Sequence, residues 1–311
     1  MRPAEATPAP THRPPPRTVP GVTPRLRRRL QRIFGLSSMV SPRLAAWLAL
    51  ELFVLPPRRR MDPEDVPVVA RALRHDLRVA GKRLLALEWR PDGSAMDAPA
   101  VLLLHGWGSH AARFGNFVDP LLAQGYRVVG IDAPAHGESE GRRSDLPQFR
   151  SALAAALGRF APVESIVAHS LGACAAVWQL ADQPHPEVRS LVTVGMPRDV
   201  GYVMESFELV LGLRPAVRAA LRQRFERRFG AAPEQFAAHA LADRLHMPTL
   251  VLHDEDDDVA PLEHAREFAA ALGQGRLSMT SGLNHSGLLR DPEAIARTVA
   301  FIVEQRAGVR S

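Results

Sequence analysis

One cysteine, Cys174, stands in 311 residues, and a lone thiol closes no internal disulfide, so nothing in the chain demands an oxidising compartment. A cytoplasmic location is therefore the expectation. No apolar run reaches the ~20 residues that a membrane span needs. The nearest, Met39 to Leu55, is shorter and carries Arg43 and Glu51. No secretory signal is read either, because the first apolar run comes late and follows a Pro/Arg-rich stretch. Lysine is nearly missing: Lys82 is the only one, and every other basic residue is arginine. Aromatic residues make up only 6% and do not interleave with the basic ones, so nucleic acid is not expected as a partner.

What is present is 46% hydrophobic residues, enough to bury a large core. The net charge of +6 is unevenly spread. Residues 1–60 hold twelve arginines against Glu5 and Glu51, which leaves the remainder acidic by four. The basic amino end reads as a solvated tail, with weak peripheral contact to anionic lipid as the alternative. Six prolines between Pro8 and Pro20 defeat helix and sheet, and residues 1–24 are expected to be a disordered tail.

Residues 25–75 read as an N-terminal helical segment, with helices near 25–34, 41–54 and 62–75. In the second, Leu44, Trp47, Leu48, Glu51 and Leu55 are expected to form the face that docks on the core. A strand-like segment, Asp76 to Trp89, opens a domain running to residue 311. From Ala98 short apolar runs alternate with helix-period segments, the signature of βαβ units and of a mostly parallel sheet covered on both faces. The runs are Ala100–His105, Tyr126–Asp132, Ser165–Ala168, Ser190–Val194, Pro248–His253 and Arg276–Met279. About residues 198–246 hold no strand, and Val217, Leu221, Phe225 and Phe229 recur four apart. This interval is expected to be a helical cap over the carboxyl ends of the strands, where α/β sheets bind ligands.

The sharpest local signal is Ser165-Ile-Val-Ala168-His169-Ser170-Leu171-Gly172, a β-rich run, a serine with a tiny residue two positions away on each side, and a helix-forming segment. Read alone, it is either a helix start capped by Ser170 or a nucleophile elbow, whose tight turn admits only small residues at 168 and 172. A serine hydroxyl needs a base to take its proton, and the base needs a carboxylate to fix its tautomer. The acidic loop Asp254–Pro261 follows one later strand, and Leu283-Asn-His285-Ser follows the next. Serine, acid and histidine in that order, each after a separate strand, is the α/β-hydrolase order.

From about residue 98 to 307 the chain resembles the α/β-hydrolase superfamily. Leu104-His105-Gly106-Trp107-Gly108 resembles the His-Gly segment after the third strand, and Asp132-Ala-Pro-Ala-His136-Gly137-Glu-Ser139 resembles the Asp-x-x-x-x-Gly-x-Ser loop after the fourth. The elbow and the late acid–histidine pair complete the resemblance. It implies the α/β-hydrolase fold with a helical cap, Ser170 as nucleophile, His285 as base and Asp257 as orienting acid. Asp257 is selected because the family's acid usually stands four residues before the proline, here Pro261. Ala168 and Asp254 stand where the family often has glycine.

By the same resemblance the backbone N–H groups of Trp107 and Leu171 form an oxyanion hole, and His169 and Gly106 contact substrate. His105, His136 and His169 are read as serving structure or pocket shape rather than proton transfer. The spacing of Asp254, Asp256 and Asp258 imitates a calcium loop, but the required glycine is Val259 and the closing acid is Ala265. No metal and no cofactor are expected. The expected activity is hydrolysis of small-molecule carboxylic esters through an acyl-enzyme, with thioesters or peptides as related substrates. The contrasting reading is a binding or scaffold protein whose triad is inert.

Overall fold

The computed structural model describes residues 22–93 and 98–307, so the expectation for the proline-rich tail falls almost wholly outside the described residues. Two helices come first. Thr23 accepts the Leu26 N–H and caps α1 (Pro24–Val40), and Ser41 likewise caps α2 (Pro42–Phe53), each helix having a proline in its first turn. A short 3-10 turn at Pro63–Asp65 and α3 (Val66–Ala70) replace the longer helix expected over 62–75. Pro67 and the β-branched Val66, Val68 and Val69 are poor material for extending a helix.

The segment expected as one strand is instead a hairpin. β1 (Leu73–Val79) and β2 (Lys82–Trp89) pair antiparallel through a two-residue turn. Both turn residues have positive φ, Ala80 at 47° and Gly81 at 77°, as the twist of a tight hairpin requires.

The six expected apolar runs form β3 (Ala100–Leu104), β4 (Arg127–Ile131), β5 (Val163–His169), β6 (Ser190–Val194), β7 (Thr249–Asp254) and β8 (Gly275–Thr280). The eight strands lie in the order β1-β2-β4-β3-β5-β6-β7-β8, parallel from β4 to β8 and antiparallel at the β1-β2-β4 edge. β3 to β7 are almost wholly buried, because helices cover both faces. Helices α4 (Gly115–Leu122), α5 (Leu146–Arg159) and α6 (Leu171–Asp182) follow β3, β4 and β5. α4 serves one core layer, around Phe114, Phe117 and Leu121, while α5 and α6 serve the other, around Phe149, Leu153 and Ala176.

Between β6 and β7 lie α7 (Val200–Leu211), α8 (Pro215–Phe229) and 3-10 turns at Pro233–Phe236 and Ala238–Arg244, all within the interval expected to hold the cap. The remaining helices, α9 (Leu262–Ala271), α10 (Asn284–Gly287) and α11 (Pro292–Ala307), flank β8. Val217, Leu221 and Phe225 of the expected stripe are buried, with Phe229 packed beside them.

The amino-terminal helices pack against α7 and α8. α2 packs on α8, the Gln31 side chain donates to Val210 O at 3.0 Å, and Arg214 reaches Ser38 and Gly35 of α1. The face of α2 expected to dock is only partly the one that does: Leu48 packs on the core and Glu51 is half-buried, but Leu44, Trp47 and Leu55 are exposed, while Ala45, Ala46, Ala49 and Leu50 are buried. Small side chains let two helices approach closely, and that contact outweighs the larger apolar stripe. Glu51 ion-pairs with Arg143 at 2.5 Å and Arg228 at 3.7 Å.

Candidate active site

The winding of the sheet reverses at β3, with β4 on one side and β5 on the other, and this switch point sets the loop after β3 against the turn after β5. Leu104 and Ala168 are register partners at the ends of those strands. Ser170 follows at once, with φ 53° and ψ −121°, and its N–H donates to Val194 O at 2.9 Å. A non-glycine residue at such angles is strained and persists only where its surroundings hold it.

Those surroundings explain the small neighbours. A Cβ at Gly172 would collide with the backbone oxygens of His105 and Leu104, the latter at 2.6 Å. At Gly106 a Cβ would lie 2.9 Å from Ser170 Cβ and 3.0 Å from His169 Nδ1. Gly106 is buried and is not among the residues that line the cavity described below; its lack of a side chain allows the close approach of the two loops.

The loops after β7 and β8 bring acid and histidine together. His285 Nδ1 donates to Asp257 Oδ2 at 2.8 Å, and Asp257 Oδ1 accepts the N–H groups of Val259 and Ala260, both at 2.8 Å. Burial pushes the Asp257 carboxyl up, yet the hydrogen bond and charge of His285 and the Ala260 N–H bring it below its usual range. Asp257 therefore stays ionised, and its partner presents Nε2 as the acceptor nitrogen. Gly195, with φ 55°, stands at the same point: a Cβ there would be 3.2 Å from His285 Nδ1 and 3.3 Å from Asp257 Oδ2.

Ser170, His169, Trp107, Leu171 and His285 line one cavity of about 590 Å³. Its walls are largely apolar, with Leu26 and Leu30 of α1, Phe53 of α2, Phe207 of α7 and Phe225 and Phe229 of α8, and Arg58, Arg59, Arg113 and Asp145 also line it. The N–H groups of Trp107 and Leu171 donate to no protein acceptor among the described residues, which leaves one free donor on the loop after β3 and one at the first residue of α6. No hydrogen bond joins Ser170 to His285 among the described residues, and in ligand-free enzymes such contacts commonly tighten only with substrate.

His169 lines the cavity and also supports His285. Its Nε2–H donates to His285 O at 3.0 Å, its ring packs on that of His285 with centroids 4.6 Å apart, and burial pulls its pKa down to about 3. His105 and His136 are buried, neutral members of a ring cluster with Trp107 and Phe149. His105 Nε2 accepts the Ala133 N–H at 3.0 Å, which ties the loop after β3 to the loop after β4. The Asp132 motif is structural as well: its carboxylate accepts the N–H groups of Ala111 and Glu138, both at 2.8 Å, and burial raises its pKa to about 6. A Cβ at Gly137 would overlap that carboxylate.

Three features went unseen in the sequence. Asp254, standing where the family often has glycine, accepts Asn284 N–H at 3.0 Å, Leu283 N–H at 3.2 Å and the Thr280 hydroxyl at 2.7 Å. Asp256 accepts Gly282 N–H at 2.9 Å. The run that imitates a calcium loop is thus a clamp on the segment leading to His285. Tyr202 lines the cavity and donates its hydroxyl to Val259 O at 3.3 Å, beside the acid. Leu26 and Leu30 were placed in a separate helical segment and instead roof the cavity. The clamp and the tyrosine have no local motif; they exist only once distant loops meet.

The sequence profile of the alpha/beta hydrolase family matches residues 101–298, and the chain belongs to that family. It is 28% identical over 225 residues to the esterase YjfP of Escherichia coli (strain K12), covering 65% of this chain and 87% of that one. It is 26% identical over 251 residues to the pimeloyl-(acyl-carrier protein) methyl ester esterase of Chromobacterium violaceum, covering 68% and 96%. The fold matches a solved esterase of Pyrococcus furiosus with a TM-score of 0.60 at 19% identity, over 81% of this chain and 97% of that one. Among the described residues no helix is long and apolar enough to cross a membrane.

Proposed function

We propose that the protein is a serine hydrolase that cleaves carboxylic ester bonds of apolar small molecules. The observation that carries the reading is the Asp257–His285 pair at 2.8 Å opening on the same cavity as the strained Ser170. Ser170 Oγ attacks the ester carbonyl while His285 Nε2 takes its proton, and ionised Asp257 stabilises the imidazolium that results. The oxyanion of the tetrahedral intermediate lies between the Trp107 and Leu171 N–H groups. His285 then protonates the departing alcohol oxygen and leaves Ser170 acylated. A water molecule, deprotonated by His285, attacks the acyl carbonyl and restores the serine.

The leucine and phenylalanine side chains that line much of the cavity favour an apolar acyl or aryl group against them. The esterase names of the relatives support the same reading. A series of chromogenic esters of increasing acyl length tests it. Turnover is expected to rise from acetyl to medium-length chains and to fall by several orders of magnitude in Ser170→Ala and His285→Ala. Unchanged turnover in Ser170→Ala refutes it.

A further inference from the structure

The outer side of the α1–α2 pair presents Ile33, Leu36, Met39, Val40, Leu44 and Trp47 to solvent, with Leu36 67%, Met39 75% and Val40 79% exposed. Isolated exposed apolar residues are ordinary, but six within fifteen positions around the corner at Ser41 are not. Between Pro24 and Leu50 there is no aspartate or glutamate, while Arg25, Arg28, Arg29, Arg32 and Arg43 are all exposed. Arg25, Arg29, Arg32 and Leu36 follow at helical spacing on one side of α1, next to Ile33 and Val40. Residues 61–311 have the opposite charge, acidic by four.

We infer that the corner between α1 and α2 docks the protein on an anionic phospholipid surface. Such a surface satisfies both halves of the patch: lipid phosphates pair with the guanidinium groups, and the acyl boundary takes the apolar side chains, with Trp47 at the interface between them. Nucleic acid would satisfy only the arginines. A second copy placed face to face would set arginine against arginine. The acidic remainder of the chain is repelled by the same membrane, which orients the corner toward it. This docking stands apart from the catalytic reading.

The full chain is sedimented with phosphatidylcholine vesicles containing about a third phosphatidylserine, and with phosphatidylcholine alone, at ~0.1 M and ~0.5 M salt. Partitioning into the anionic vesicles is expected, weakened by salt, with a loss of about fivefold for each of Arg29→Gln and Arg32→Gln. The doubly substituted L36D/V40D chain should lose binding while keeping the melting temperature of the parent, since both sites are exposed. Failure of the parent to bind anionic vesicles overturns the inference. So does undiminished binding of L36D/V40D, since both the lost apolar contact and the two added carboxylates should weaken it. A parent that is dimeric in sedimentation equilibrium and does not bind vesicles, with L36D/V40D monomeric, assigns the patch to a second copy instead.

Discussion

The Asp254 carboxylate accepts the backbone N–H of Asn284 at 3.0 Å, one residue before the histidine that pairs with Asp257. Both oxygens of Asp254 are engaged, by Asp256 N and Asn284 N on one side and by Thr280 Oγ1 and Leu283 N on the other. Two loops that start on different strands are thereby held as one unit.

Asp254→Asn turns one acceptor oxygen into a donor and leaves either an amide N–H pair facing another donor or an unpaired group. A cost of about 1–3 kcal/mol in folding stability is expected. The His285 segment loses a tether, so kcat should fall on the order of tenfold to a hundredfold with KM little changed. Urea unfolding and steady-state kinetics on one ester check this; an unaltered kcat removes Asp254 from the account.

Acid should destabilise the fold through its buried histidines. Burial lowers His169 to about 3 and His136 to about 4 from an ordinary 6.5, and places His105 well below it. Each folded-state value is depressed, so the unfolded chain binds the extra proton and stability is lost as pH falls below about 6.5, by about 1.4 kcal/mol per unit and group. Asp132, raised to about 6, runs the other way, its burial penalty fading as pH falls from about 6 toward 3.8. Burial also lowers His110 and His253 and raises Asp65 and Glu208, so five histidines stand against three carboxyls, and urea unfolding at pH 6.5 and 4.5 should show a net loss. His136→Phe, placed in the same ring cluster, should make the slope shallower by about 1.4 kcal/mol per unit. Stability that rises on acidification contradicts this.

Gly172→Ala forces a methyl group against the backbone oxygens of two residues at the end of β3. Neither oxygen can move without disturbing the central strand, so a loss of about 3 kcal/mol or more is expected, read as a lowered melting temperature or as insoluble protein. A stable, active G172A enzyme would mean that the elbow is looser than its geometry states.

The parallel strands were legible because a sheet buried on both faces writes them as short apolar-rich runs, unbroken in Ala100–Leu104. The elbow was legible because steric demand fixes the residues at 168 and 172. The docking face of α2 was legible only in part, since apolar size suggested Leu44 and Trp47 beside Leu48, while close helix packing selected Ala45, Ala46 and Ala49. The β1–β2 turn carried a single glycine, too weak a signal to divide the segment. Nor could periodicity show that α1 would close over the cavity, because that depends on Gln31 and Arg214, which bridge positions far apart in the chain.

Covalent labelling with a fluorophosphonate, read by peptide mass spectrometry, tests the proposed role of Ser170 most directly. One phosphonyl group on Ser170 is predicted for the intact protein, none for Ser170→Ala, and labelling slowed by orders of magnitude for His285→Ala. A folded protein that takes up no label, or that keeps its label in Ser170→Ala, contradicts the account.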